Sequence, residues 1–277
     1  MSLQSFLSQK RAQSLKIGLV PTMGALHQGH LSLIRHCKQH CDLTVVSVFV
    51  NPTQFHNPSD YEKYPVDLDQ DLELLREEEV EVIFTPKKEV LYPVESKISF
   101  SFDPLDSILE GAFRPGHFSG VALVVSKLFN IVQPDIACFG QKDLQQVAVI
   151  KNLNAELAFG IDIQTIPTVR EADGLALSSR NTRLSPEQRK LAPVLYKTMV
   201  ETKEKLLLGE SLNTTLSASR QFLKDHEPAI QLEYFELVDS NNLSTVRNLS
   251  AHNQVSLCTA AYFGEVRLID NLFVISQ

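Results

Sequence analysis

Two kinds of apolar pattern alternate along the first two-thirds of the chain. KIGLV (16–20) and LTVVSVFV (43–50) are short, rich in β-branched and aliphatic residues, and apolar on both faces. That is the pattern of strands in a parallel sheet covered on each side. Between them, LSLIRHCKQHC puts Leu31, Ile34, Cys37 and Cys41 at helical spacing, so strand, helix and strand form one right-handed βαβ unit. The pattern then repeats. A helix over 67–79, with Leu68, Leu72 and Leu75 on one face, precedes EVIFT. A helix over 118–132 (Val121, Val124, Val125, Leu128, Ile131) precedes DIACFG, and one over 143–157 precedes IDIQTIPTV. The spacing predicts an α/β fold with a Rossmann-like doubly wound parallel sheet, whose ligands sit at the carboxyl ends of the strands.

After about residue 170 the pattern changes. In LSPEQRKLAPVL, Ser185 reads as an N-cap, Pro186 as the first helical residue and Gln188 as the capping-box partner. That helix is expected to run to Gly209, followed by another over 213–226. QLEYFELVD, QVSLCTAAYF and EVRLIDNLFV then read as strands, with Phe263-Gly264-Glu265 as a hairpin turn. Helices followed by directly joined strands predict a smaller C-terminal α+β domain with an antiparallel sheet. The expected division is 1–175 and 176–277, with the junction inside 168–184.

Composition narrows the classes. Apolar residues are 43% and charged residues 21%, the balance of a soluble globular chain. No apolar run approaches the roughly 18–20 residues that span a bilayer. The start, MSLQSFLSQKRAQSLK, lacks the apolar core of a secretory signal, so a cytoplasmic protein without membrane association is expected. Four cysteines are too few for a disulfide scaffold. The net charge of −7 argues against a nucleic-acid-binding surface. Its placement is uneven: residues 60–81 alone hold ten acidic and two basic side chains, an excess larger than that of the whole chain. The remainder is close to neutral and has room for a basic pocket around a small anion.

The strongest local signal is PTMGALHQGH (21–30), directly after the first strand and opening the first helix. Gly24 and Gly29 let the backbone approach a ligand closely. Free N–H groups and the positive dipole end make the helix start an anion site. His27 and His30 stand three apart there, able to face a phosphate and to neutralise charge on departing pyrophosphate. FVNPTQF (49–55) ends the second strand; Asn51 and Pro52 read as turn chemistry, while Gln54 is the better substrate contact. In FGQKDLQQ (139–146) Lys142 is a point charge for phosphate, Asp143 reads equally as an N-cap, and a helix would bring Lys142 and Gln146 to one face. In READGLALSSRN (170–181), Ser178, Ser179 and Arg180 supply two hydroxyls and a planar cation. His36, Cys37, His40 and Cys41 resemble a metal cluster only on paper, because the cysteines follow the apolar stripe and the histidines fall beside it.

H-x-G-H after the first strand resembles the nucleotidyltransferase superfamily that includes class I aminoacyl-tRNA synthetases. The longer strings PTMGALHQGH, FVNPTQF, RPGHFSGV, KLFNIVQPD, FGQKDLQQ and DGLALSSRN, in order over about 15–185, resemble the pantoate–β-alanine ligases. The resemblance implies condensation of pantoate with β-alanine through a pantoyl adenylate, releasing AMP and pyrophosphate. It implies that ATP is bound by Met23, Gly24, Ala25, Leu26, His27, Gln28, Gly29 and His30, by Gly140, Gln141, Lys142 and Asp143, by the backbone at Val169, and by Leu177, Ser178, Ser179 and Arg180. The last three would play the part of the synthetases' KMSKS loop. Gln54 would bind pantoate and β-alanine, Gln146 would bind pantoate, and His27, His30, Lys142 and Arg180 would carry the catalysis. It further implies a lid role for the C-terminal domain and a homodimer.

Within the acidic segment, Glu77–Glu79 read as a solvated helix face. Magnesium accompanying ATP takes one or two carboxylates plus phosphate oxygens, and the resemblance points to Asp71 first and Asp69 next. Val66 stands where the family commonly has arginine, and the role of His117 in RPGHFSGV is open at this level. A synthetase-derived RNA-directed protein would need a basic RNA-facing surface, which the charge speaks against.

Overall fold

The computed structural model describes residues 2–55 and 58–276. By their internal contacts these fall into two compact units, Met1–Gln141 with Gln146–Pro167, and Lys142–Gln145 with Thr168–Gln277. The helices in chain order are α1 (Leu3–Ala12), α2 (Gln28–His40), α3 (Pro58–Glu62), α4 (Leu68–Glu77), α5 (Lys88–Leu91), α6 (Leu109–Phe113), α7 (His117–Val132), α8 (Leu144–Glu156), α9 (Pro186–Leu191), α10 (Val194–Leu207) and α11 (Leu212–Lys224). The strands are β1 (Ile17–Thr22), β2 (Leu43–Val48), β3 (Val82–Phe84), β4 (Ile136–Gly140), β5 (Asp162–Ile166), β6 (Gln231–Asp239), β7 (Gln254–Phe263) and β8 (Val266–Ser276).

In the first unit β1–β5 form one parallel sheet in the order β3-β2-β1-β4-β5. Strand alternation sends Ile17, Leu19, Val45, Ala137 and Phe139 into one core layer with α7, through Val121, Val125 and Phe129. The other parity sends Val20, Val46, Ile136 and Cys138 into a second layer with Leu31, Ile34 and Cys37 of α2 and Leu75 of α4. Two covered faces explain why the strands read as apolar throughout. The order reverses between β1 and β4, so the topological switch point lies where Thr22 and Gly140 end their strands.

The second unit has an antiparallel sheet, β6-β7-β8, packed with α10 and α11 around Leu195, Met199, Leu216, Phe235, Leu257 and Phe263. The β7–β8 hairpin turns on Gly264 and Glu265. One expected helix differs: the run from Pro186 to Gly209 breaks into α9 and α10 at Ala192–Pro193. Pro193 has no N–H to continue the ladder, and its ring crowds the preceding turn. Among the described residues no helix is long and apolar enough to cross a membrane.

Candidate active site

The loop after β1 is built from unusual backbone. Gly24 has φ +82° and Ala25 φ +50°, a left-handed pair, and a non-glycine residue there is uncommon. Asp71 on α4 holds the conformation: Ala25 N–H donates to Oδ2 at 3.0 Å and Leu26 N–H to Oδ1 at 2.7 Å. A Cβ on Gly24 would lie 2.7 Å from that Oδ2, so glycine is required by space as well as by φ. Burial pushes the Asp71 carboxyl up, against the pull of the Leu26 and Ala25 N–H groups.

His27 is the N-cap of α2. Its Nδ1 accepts from Gly29 N–H at 3.1 Å, and His30 Nδ1 accepts from His27 N–H at 3.3 Å, a reciprocal capping box. The two ring centroids are 4.2 Å apart. A backbone N–H only donates, so each ring presents its lone pair at Nδ1 and carries its hydrogen on Nε2. Cap and candidate donor are thus one arrangement: the bond that closes the helix fixes the tautomer able to donate to an anion.

Gln54 lies in a 3-10 turn, Pro52–Gln54, after β2 and is buried. Its Nε2 donates to Met23 Sδ at 3.1 Å, and its Oε1 accepts from Asn51 Nδ2 at 3.0 Å. Asn51 stands at the N-cap of this turn with Pro52 opening it, as the turn reading expects, and its side chain does more. Its side chain makes no cap bond; instead Nδ2 also donates to Gly120 O at 3.1 Å, and Oδ1 accepts from Tyr92 OH at 2.8 Å and Thr53 Oγ1 at 3.0 Å. The residue is buried and joins the turn, α7 and Tyr92, which no local sequence signal discloses. Gly140 ends β4 at the switch point. Gln146 lies in α8, whereas Lys142 precedes that helix in a 3-10 turn, Gln141–Asp143. Lys142 thus lies in the 3-10 turn that runs directly into the helix carrying Gln146, not in the α-helix itself.

In the second unit Lys142 Nζ lies 3.5 Å from Asp143 Oδ1, and its carbonyl accepts from Asn271 Nδ2 at 2.9 Å. The 169–177 segment doubles back, with Leu177 N–H donating to Val169 O at 3.0 Å and a bridge between Arg170 and Ala176. Ser178 then caps the 3-10 turn Ser179–Arg183, its Oγ accepting from Arg180 N–H at 3.3 Å. Arg189 donates to Asp173 at 2.6 Å and holds that carboxyl below its usual range. Arg170 donates to Asp270 Oδ2 and Oδ1 at 2.5 and 2.9 Å, to Asn271 O at 3.1 Å and to Gly174 O at 3.1 Å, and lies 4.0 Å over the Tyr196 ring. The loop carrying Ser178–Arg180 and the carbonyl of Lys142 are thus both tied to the β8 residues Asp270 and Asn271.

The metal candidates part company. Asp69 is exposed in the first turn of α4 while Asp71 is buried against the loop; two residues apart on a helix, they point to different sides. Cys37 is buried beside Cys138 and Cys41, and burial with the neighbouring Cys37 pushes the Cys41 thiol up to about 12. His36 and His40 stack on each other at 4.2 Å. Among the described residues no group of three or more His, Cys, Asp or Glu is placed to hold a metal.

The family model for pantoate–β-alanine ligase matches residues 1–273. The chain belongs to that family. Within it, the chain is 46% identical over 273 residues to the pantothenate synthetase of Bacteroides fragilis, covering 98% of this chain and 95% of that one. It is 45% identical over 271 residues to that of Thermoanaerobacter pseudethanolicus, covering 98% and 95%. The crystal structure of the pantothenate synthetase from Thermus thermophilus superposes with a TM-score of 0.90 at 42% identity, covering 97% and 98%. That of the pantoate–β-alanine ligase from Francisella tularensis, complexed with beta-gamma ATP and beta-alanine, gives 0.80 at 36% identity over 99% and 96%. Family membership makes the chain an enzyme of the ligase class and fits its parallel sheet plus separate antiparallel sheet.

Proposed function

We propose that the chain condenses pantoate with β-alanine to pantothenate, driven by ATP. The pantoate carboxylate attacks the α-phosphorus of ATP, giving pantoyl adenylate and pyrophosphate. The β-alanine amine then attacks the acyl carbon, releasing AMP. The observation that carries this reading is the loop at the switch point: a left-handed turn pinned by Asp71, a helix N-terminus, and two histidines each with its hydrogen on Nε2. No side chain needs to form a covalent bond, since the substrate supplies the nucleophile. The protein's work is alignment and charge stabilisation.

His30 and His27 donate to the phosphate chain as negative charge moves onto pyrophosphate, and Lys142 and Arg180 add positive charge. Met23 through Gly29, Gly140, Gln141, Asp143, Val169, Leu177, Ser178 and Ser179 bind ATP. Gln54 and Gln146 hold pantoate, and Gln54 also serves β-alanine. Each Asp71 oxygen spends one lone pair on the loop and retains another. That fits a magnesium ion held mainly by triphosphate oxygens and water, with one protein carboxylate, Asp71 ahead of Asp69. When bound, the ion neutralises triphosphate charge. The resemblance further supports a homodimer working in the cytoplasm.

Product analysis tests the reaction type. With ATP, pantoate and β-alanine the pure protein forms pantothenate, AMP and pyrophosphate in equal amounts. Formation of ADP and phosphate would mean an acyl phosphate and overturn the adenylate route.

A further inference from the structure

We propose that His117 is a positioning residue for Gln54, locked by Arg114 in the one neutral tautomer that can hold the Gln54 main chain. The inference rests on the reading of Gln54 as a pantoate-binding residue. The turn that carries Gln54 is closed by Phe55 N–H to Pro52 O at 3.3 Å and by the Asn51 side chain, which donates to Gln54 Oε1 at 3.0 Å and accepts from Thr53 Oγ1 at 3.0 Å. Its support comes from the first turns of α7. Gly120 packs so tightly there that a Cβ would sit 2.1 Å from Thr53 O and 2.7 Å from Gln54 N. The Gly120 carbonyl accepts from Asn51 Nδ2 at 3.1 Å.

His117, the first residue of α7, is 6% exposed. Its Nδ1 lies 2.8 Å from the Gln54 carbonyl oxygen, and its Nε2 lies 3.1 Å from Arg114 Nη1. A carbonyl only accepts and a guanidinium only donates. Nδ1 must therefore carry the hydrogen and Nε2 the lone pair. This is the opposite tautomer from that of His27 and His30, and it is set by a different partner. Arg114 is itself placed by Glu110, 3.7 Å away one helical turn earlier and buried. A line of fixed polarity thus runs from Glu110 through Arg114 and His117 to the backbone of Gln54, whose side chain meets Met23 of the phosphate loop. His117 acts on the reaction through Gln54.

Two substitutions separate this role from generic packing. In His117→Asn the short amide can put an N–H where Nδ1 stands, while in His117→Gln the longer amide reaches toward Arg114 and leaves the Gln54 carbonyl unserved. With the full chain, His117→Asn keeps the KM for pantoate within a few-fold of wild type. His117→Gln raises it roughly tenfold, the loss of about one buried hydrogen bond, and moves kcat less. Equal pantoate KM values for the two folded variants overturn the inference. Gln54→Ala run alongside separates the failures: a raised pantoate KM there with equal His117 variants sinks only the His117 role, whereas an unmoved KM sinks the Gln54 reading and the inference with it. Should either His117 variant fail to fold, 15N spectra of the histidine-labelled wild type decide. One buried ring protonated at Nδ1 and not at Nε2 supports the inference; a His117 ring protonated at Nε2 overturns it.

Discussion

His30→Ala lowers kcat by roughly 10²- to 10³-fold, the usual cost of removing one preorganised donor from a developing negative charge. The size follows from how completely the ring is prepared. Asp71 fixes the backbone at Ala25 and Leu26, the capping box fixes both imidazoles, and Nε2 is the donating nitrogen. In the proposed role, the ring would not have to reorganise as pyrophosphate leaves. Because the bond tightens as charge develops, kcat falls more than the KM for ATP rises. Lys142→Ala is expected to fall by a similar order. Steady-state kinetics on variants with unchanged melting temperature check both, and a kcat within a few-fold of wild type removes the residue concerned from the chemistry.

The largest stability effect is expected at the other anchor. Asp270→Ala destabilises the second unit by about 3–5 kcal/mol, the cost of leaving one member of a buried ion pair uncompensated. Asp270 is 6% exposed and receives two bonds from Arg170, itself held by Gly174 O, Asn271 O and the Tyr196 ring. Burial pushes the Asp270 carboxyl up and the adjacent guanidinium draws it back; without the carboxylate, the largely buried Arg170 keeps its charge with no counter-ion. Replacing both members by apolar residues of similar volume costs much less, since no stranded charge is left. Denaturant titration reads these differences. A loss under about 1 kcal/mol for Asp270→Ala, the range of an exposed pair, would show that water reaches Arg170 and that the pair is not an anchor.

How much of this the chain disclosed depends on the range of the interaction. Strands apolar on both faces and helices with one apolar stripe are local periodicities, so the doubly wound sheet, the strand-end position of PTMGALHQGH and the antiparallel C-terminal sheet were legible from residues alone. The break at Pro193 was not read, because the apolar spacing runs through it and the helix was expected to reach Gly209. The contacts that shape the site are different in kind. Asp71 lies 45 and 46 residues from the N–H groups it holds, and in the sequence only the resemblance sets it apart from the other nine acids, as a metal candidate and not as the brace of the loop. Asn51 looks like turn chemistry because its real partners, Gly120 and Tyr92, come from separate elements. His117 could not be given a role until Gln54 O and Arg114 stood on either side of its ring. Arg170 and Asp270 are a hundred residues apart. The resemblance supplied residue roles, while the physical reasons those residues hold their positions came from the fold.

Exchange of labelled pyrophosphate into ATP, measured with pantoate and magnesium but no β-alanine, tests the central claim most directly. Reversible formation of pantoyl adenylate returns label to ATP only when pantoate is present, and the His30→Ala rate falls in parallel with its kcat. Absence of exchange by pure, folded protein, or exchange that does not depend on pantoate, contradicts the account.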